Sequence, residues 1–210
     1  HGCGHCPICL AGFEANCPNA KDGVNGGYQG EFYRAINADG ALVKIPGQPS
    51  DYSDDQLASL TTLADVMPTG FHAAKAADVH EGDTVVVFGD GAVGLCAVIS
   101  AKLLGAKRII AMSRHEDRAA LAREFGATDI IAERGEEAIQ KIMSLTDGYG
   151  ADAALECVGT KQAIESAFQA VRAGGRVGRV GVPHDVDYNE WVDSLFWKNI
   201  QLGGGVASVA

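Results

Sequence analysis

From residue 84 onward the apolar positions change period repeatedly. Thr84-Val85-Val86-Val87-Phe88 and Arg108-Ile109-Ile110-Ala111-Met112 are short continuous apolar runs, the pattern of strands covered on both faces. Further strands are predicted at 128–131, 152–155, 176–180 and 199–202. Between them helices are predicted over 95–104, up to Phe125, and around 136–146, 161–173 and 189–198. Asp147-Gly148-Tyr149-Gly150, Gly174-Gly175 and Gly203-Gly204-Gly205 read as turns. Six strands alternating with helices predict an α/β fold with a doubly wound parallel sheet in the order 3-2-1-4-5-6.

The first 80 residues lack that alternation. Residues 26–45 read as two short strands joined around Ala38-Asp39-Gly40, and 46–50 as a loop. Residues 53–79 take helical spacing, with Leu57, Leu60, Leu63 and Ala64 on one face. Asp65-Val66-Met67-Pro68-Thr69-Gly70 interrupts it, and the plain reading makes Asp65 the N-cap of a helix beginning near Pro68.

Composition narrows the classes. The chain has 210 residues, 47% of them apolar, enough for a real core. Its formal net charge of −10 argues against binding a phosphate backbone, so no nucleic-acid partner is expected. No apolar run reaches the roughly 18–20 residues that span a bilayer, and no signal segment is visible, so no membrane partner and a cytoplasmic location are expected. The 27 glycines, nearly twice the average share of about 7%, fit the many turns. Four of the six cysteines lie at 3, 6, 9 and 17, and the chain starts at His1 rather than Met. The expectation is a fragment of a longer protein.

Cys3, Cys6, Cys9 and Cys17 are spaced C-x2-C-x2-C-x7-C. Thiolates at such intervals can converge tetrahedrally on zinc, with Zn–S near about 2.3 Å. An iron–sulfur cluster and a pair of disulfides are the alternatives, the latter expecting an oxidising compartment. Zinc with four protein ligands has no open position and is structural. Cys96 and Cys157 read as small buried hydrophobes.

Gly89-Asp90-Gly91-Ala92-Val93-Gly94 directly follows the first apolar strand and opens an apolar helix. Strand, G-x-G-x-x-G, helix is the dinucleotide fingerprint: tight turn, close approach to the pyrophosphate, and close helix–strand packing. No Lys-Ser/Thr follows Gly94, which excludes a P-loop. An NAD enzyme places Asp or Glu at the end of the second strand, to hold the ribose hydroxyls. Here Met112, Ser113 and Arg114 stand there, and a cation can pair with a 2′-phosphate, so NADP is favoured over NAD. Ser113 and Glu116 also spell a capping box, and Glu116 and Asp117 could turn toward a ribose.

The cysteine run resembles the structural-zinc lobe of the zinc-dependent alcohol dehydrogenases of the medium-chain dehydrogenase/reductase family, and the rest of the chain follows in the family's order. The resemblance implies a partial, mainly-β GroES-like catalytic domain over 1–66 and a Rossmann domain over 67–210. It implies Asp65 as a catalytic-zinc ligand and Thr69 as a nicotinamide contact. Gly89, Gly91, Ala92, Val93 and Gly94 would cradle the pyrophosphate, with Ser113, Arg114, Val158, Val180 and Val182 along the rest of the cofactor. The implied reaction is hydride transfer between an alcohol and NADP(H) or NAD(H), in a homo-oligomer (dimer or tetramer) acting on a small alcohol, aldehyde or ketone. The family's remaining catalytic-zinc ligands and proton relay are not found in this sequence, so the fragment alone is expected to be inactive. The rival reading is a non-catalytic NAD(P)-binding module with a structural zinc lobe.

Overall fold

A computed structural model of the chain describes residues 2–20, 30–184 and 192–208. The chain forms two compact units: His1–Pro68 with Val206–Ala210, and Thr69–Gly205.

The first unit is built from short pieces. Helix α1 (Pro7–Leu10) starts at Cys6, whose sulfur accepts the Cys9 amide, with proline in the first turn. Helix α2 (Ala38–Ala41) follows Asn37, which has φ 55°. Helix α3 (Asp54–Leu60) opens on a capping box in which Ser53 takes the Gln56 amide and the Gln56 side chain takes the Ser53 amide. A 3₁₀ segment, Thr61–Ala64, leads to Asp65, and helix α4 (Val66–Ala76) begins one residue later. The two strands expected over 26–45 are not found among the described residues. Ala38-Asp39-Gly40 is part of α2 instead, and residues 26–29 lie outside the described set. Gly40 explains the preference: a Cβ there would lie 2.8 Å from the Gly4 amide nitrogen and 2.9 Å from the Gly2 carbonyl oxygen. The segment is pressed backbone to backbone against the cysteine loop, which leaves no room for a strand with side chains on both faces.

The second unit carries the sheet. Strands β1 (Thr84–Phe88), β2 (Arg108–Met112), β3 (Asp129–Ile131), β4 (Ala151–Glu156), β5 (Val171–Arg179) and β6 (Gln201–Gly204) are all parallel, in the order β3-β2-β1-β4-β5-β6. The expected order is the observed one. Helices α5 (Ala92–Leu103), α6 (Glu116–Phe125), α7 (Gly135–Leu145), α8 (Lys161–Ala170) and α9 (Val192–Lys198) complete the alternation.

Strand residues divide between two cores by parity. Val86, Phe88, Ile110, Met112 and Ala154 pack with Ile142 of α7 and Ile164 and Phe168 of α8. Val85, Val87, Ile109, Ala111 and Leu155 pack with Ala73 and Ala74 of α4 and Ala97, Val98 and Ala101 of α5. Burial on both faces is why these strands read as continuous apolar runs. The helices α4 and α5 contribute chiefly alanine and glycine, so the backbones approach closely. A Cβ on Gly178 would sit 2.0 Å from the Ala73 carbonyl oxygen.

Strand boundaries differ from expectation at β5 and at β6, which runs over Gln201–Gly204 rather than 199–202 and takes in Gly203 and Gly204, expected as a turn. Helix α8 ends at Ala170 rather than near 173, and β5 starts at once, with Gly174-Gly175 inside it. Ala151 pairs with Val171, but Ala153 pairs with Arg176, so the residues between bulge out of register. Helix α9 is described from 192, and residues 189–191 of the expected helix lie outside the described residues.

Candidate dinucleotide cradle and thiolate lobe

The strand order reverses between β1 and β4, where such sheets bind ligands beyond their carboxyl ends. Four turns converge there. Gly89 has φ 111°, left-handed geometry in which a side chain is strained, and it lets the chain leave β1 sharply. Gly94 sits so close to Gly89 that a Cβ would fall 2.0 Å from the Gly89 carbonyl oxygen. At Gly91 a Cβ would meet nothing within 4 Å, so the cradle is open at that residue. Gly91 is the N-cap of α5 and makes no side-chain cap, leaving the first-turn amides at Ala92 and Val93 to point at an incoming anion. These features fit a dinucleotide pyrophosphate.

A cavity of about 300 Å³ adjoins the cradle, lined by Gly89, Asp90, Met112, Arg114, Arg134 and Val158 among others. The structure thus brings Gly89, Arg114 and Val158, expected separately from sequence, onto one surface. It also adds Asp90 and Arg134, which sequence reasoning did not assign. Ser113 is buried and donates to Asp90 Oδ2 at 2.7 Å, while Arg118 donates to Asp90 Oδ1 at 3.2 Å. Burial by itself would raise the Asp90 pKa, but the hydrogen bonds from Ser113 and Arg118 and the charge of Arg118 hold the carboxyl below its ordinary value. An acid therefore stands at the end of β2 after all, supplied by the cradle rather than by β2 itself. The Ser113–Glu116 capping box is not formed. The N-cap of α6 is His115 with no side-chain bond, because the Ser113 hydroxyl is committed to Asp90. Glu116 and Asp117 lie in the first turn of α6.

Beyond β4, Glu156 is fully buried and acts as an anchor. Its Oε1 accepts the amides of Val158 at 2.8 Å and Gly159 at 2.7 Å, and its Oε2 accepts Arg179 Nε at 3.2 Å. That pairing holds the turn whose Val158 side chain lies against Gly89. Arg179 Nη2 is buried with no hydrogen-bond partner. Nothing in local pattern marks Glu156 as an anchor, since a lone acid at a strand end is also the signature of a ribose ligand. Val180 follows β5 and its amide bonds the Glu156 carbonyl, while Val182 is exposed. Thr69 is half-buried in α4. Cys96 is buried in α5 and Cys157 is half-buried, not buried as expected, and desolvation pushes both thiols upward.

In the first unit, the sulfurs of Cys3, Cys6, Cys9 and Cys17 all lie within 4.8 Å of one another. Three of the separations are 3.9 Å (Cys3–Cys9), 3.5 Å (Cys6–Cys9) and 3.8 Å (Cys6–Cys17). A tetrahedron with Zn–S bonds of about 2.3 Å has edges of about 3.8 Å, so the cage has zinc dimensions. All six cysteines are free in this structure. The His5 amide, foremost, draws the Cys3 thiol down to about 5, while burial pushes Cys9 up to about 12. Four clustered thiolates, three of them buried, need a divalent cation to ionise together, and the donor set suits zinc. Among the described residues this is the one group of three or more potential metal ligands, and the exposed Asp65 belongs to none.

A doubly wound sheet with a glycine cradle at its switch point, in one chain with a four-thiolate cage, defines a zinc- and dinucleotide-binding protein. The chain belongs to the zinc-binding dehydrogenase family, whose model matches residues 92–204. It is 39% identical over 199 residues to an NADP-dependent isopropanol dehydrogenase of Thermoanaerobacter brockii, covering 92% of this chain and 53% of that protein. It is 33% identical over 198 residues to the protein of the same name from Clostridium beijerinckii, covering 94% of this chain and 51% of that one. Its structure resembles zinc dependent alcohol dehydrogenase 2 from Streptococcus pneumonia in the apo form, with TM-score 0.82 and 30% identity over 99% of this chain and 58% of that one. The chain thus spans about half the length of the curated relatives it matches. Among the described residues no helix is long and apolar enough to cross a membrane.

Proposed function

We propose that this chain is the cofactor-holding part of a zinc-dependent alcohol dehydrogenase that transfers a hydride between a small alcohol and NADP(H), in preference to NAD(H). The observation that carries the reading is the cavity that Gly89 of the glycine cradle shares with Arg114, with α5 opening a few residues further on without a side-chain cap. NADP⁺, when bound, supplies the hydride acceptor. The residues of this chain bind and orient it: the amides at Ala92 and Val93 take the pyrophosphate, and Val158 closes over Gly89. Arg114, with Ser113 beside it, meets the 2′-phosphate. Val180 and Val182 line the path toward the nicotinamide, and Thr69 contacts that ring. The names of the isopropanol dehydrogenase relatives support both the alcohol class and the NADP preference.

In this reading the four cysteines hold a structural zinc, and Asp65 is one ligand of a second, catalytic zinc. The described residues do not by themselves form that second site. The 210 residues alone are accordingly inactive, and the active protein is a homo-oligomer in the cytoplasm. A specific observation favours the second reading, a non-catalytic cofactor-binding module, namely that one metal cage is found among the described residues.

Zinc analysis with an activity assay separates the two. The dehydrogenase reading expects two zinc ions per subunit in the intact protein and oxidation of a secondary alcohol by NADP⁺. One zinc and no alcohol oxidation would leave the binding-module reading standing. Titration with each cofactor tests the preference, and tighter NADH than NADPH binding would overturn the role given to Arg114.

A further inference from the structure

Arg134 occupies the turn between β3 and α7, a position with no motif to single it out. It is the N-cap residue of α7, yet its side chain makes no capping bond. Instead its Nη1 donates to the carbonyls of Ala132 at 3.1 Å and Glu133 at 2.7 Å, which ties the guanidinium down over its own turn. There it lines the same cavity as Arg114 from the turn after β2. Two arginines from separate turns therefore line one space.

Like charges brought together need a reason. Asp90, the acid in this lining, is already engaged by Ser113 and Arg118. Burial, and then the charge on Arg114, hold the Arg134 guanidinium below its ordinary value against the opposing charges of Asp90 and Glu133, the expected mark of a cation near another in a partly dry site. Gly135, the first residue of the 11-residue helix α7, also lines the cavity, so the free amides of that helix add positive potential. A dianion placed between the arginines would relieve their repulsion and could accept from both. The pyrophosphate goes to the amides of α5, so the adenosine end is left for this cavity, and with it the 2′-phosphate that distinguishes NADP from NAD.

We infer that Arg134 is a specificity-determining residue, which together with Arg114 binds the 2′-phosphate of NADP(H). The inference rests on the NADP reading above and deepens it.

The test is a fluorescence titration of NADPH and NADH on the protein, its Arg114→Gln, Arg134→Gln and Arg134→Lys variants. Arg134→Gln is expected to weaken NADPH by about 10- to 100-fold, the loss of one or two charge-assisted hydrogen bonds, and to leave NADH within about twofold. Unchanged NADH affinity serves as the control that the turn still folds. Arg134→Lys keeps the charge but not the fork, and is expected to recover part of the loss. If NADPH binding is unchanged in Arg134→Gln, or if both cofactors weaken equally, Arg134 has no 2′-phosphate role. Should Arg114→Gln erase a clear NADPH preference while Arg134→Gln does not, only this inference fails. A wild-type protein that prefers NADH sinks the NADP reading itself.

Discussion

The second and third glycines of the fingerprint do different work, although the motif writes them identically. A Cβ on Gly94 would lie 2.0 Å from the Gly89 carbonyl oxygen, whereas one on Gly91 would meet nothing within 4 Å, at an ordinary φ of −79°. Gly94→Ala is therefore expected to destabilise the protein by about 1–3 kcal/mol or more through overpacking, read as a lower thermal midpoint. Gly91→Ala should leave the melting curve in place but weaken NADPH, because its methyl group enters the space the pyrophosphate needs. A normal NADPH affinity in Gly91→Ala would mean the dinucleotide does not lie where the cradle opens. The contrast also marks what one residue's sequence context can say. The spacing of glycines was enough to locate the turn, but which glycine faces protein and which faces ligand is a matter of three-dimensional neighbours.

At the scale of elements, the turn after β4 is held by an ion pair no motif announces. Glu156 and Arg179 end adjacent strands, 23 residues apart in sequence, and meet only because β4 and β5 pair in parallel. Removing one partner leaves a buried charge uncompensated, so Glu156→Gln should cost about 3–5 kcal/mol in urea denaturation. The double change with Arg179→Met is expected to recover part of that loss. A cost below about 1 kcal/mol for Glu156→Gln would mean the backbone alone holds the turn. The helices and strands that carry these groups were largely readable from period: both faces of each central strand are covered, so the runs are unbroken. Less readable were α2, where backbone packing against Gly4 overrides a turn signal, and the start of β5, where a bulge absorbs Gly174-Gly175. The unmade capping box at Ser113 belongs here too. Its hydroxyl had two possible partners in sequence, and the fold brings a third, Asp90.

For the whole molecule, two external conditions matter: acid and metal. Asp90 and Asp152 are both held below the ordinary aspartate value. For Asp152 burial opposes the shift, and the Thr84 amide and Arg172 outweigh it. A depressed folded pKa contributes stability that is present above the ordinary value near about 3.9 and is lost as pH falls through the folded value. Denaturation midpoints should thus be level near neutral pH and fall in the acid range. Asp152→Asn should start lower and show a shallower acid decline, and an identical slope would rule out that contribution. In the first unit, Cys9→Ser is expected to abolish zinc retention by the cage, measured as loss of one metal ion per chain after gel filtration. Zinc binding in such sites is itself folding free energy, so protease sensitivity should rise within residues 2–17. Undiminished zinc content would show the metal to be held elsewhere.

The sequence by itself determined the alternation of strands and helices, the sheet order, the cradle and the four-thiolate set. All but the sheet order are local: hydrophobic period follows from burial on both faces, and the cradle and thiol set arise from residues close in the chain, while the order follows from the general rule for alternating strands and helices. The tertiary structure alone decided what meets what across the sheet. It put Arg134 beside Arg114, gave Asp90 to Ser113 and Arg118, and buried Glu156 against Arg179. Those contacts join separate βα turns, and parallel strands bring such turns side by side only after the sheet has formed. The sign of the charge along that edge is for that reason a property of the assembled sheet, and not of any one segment.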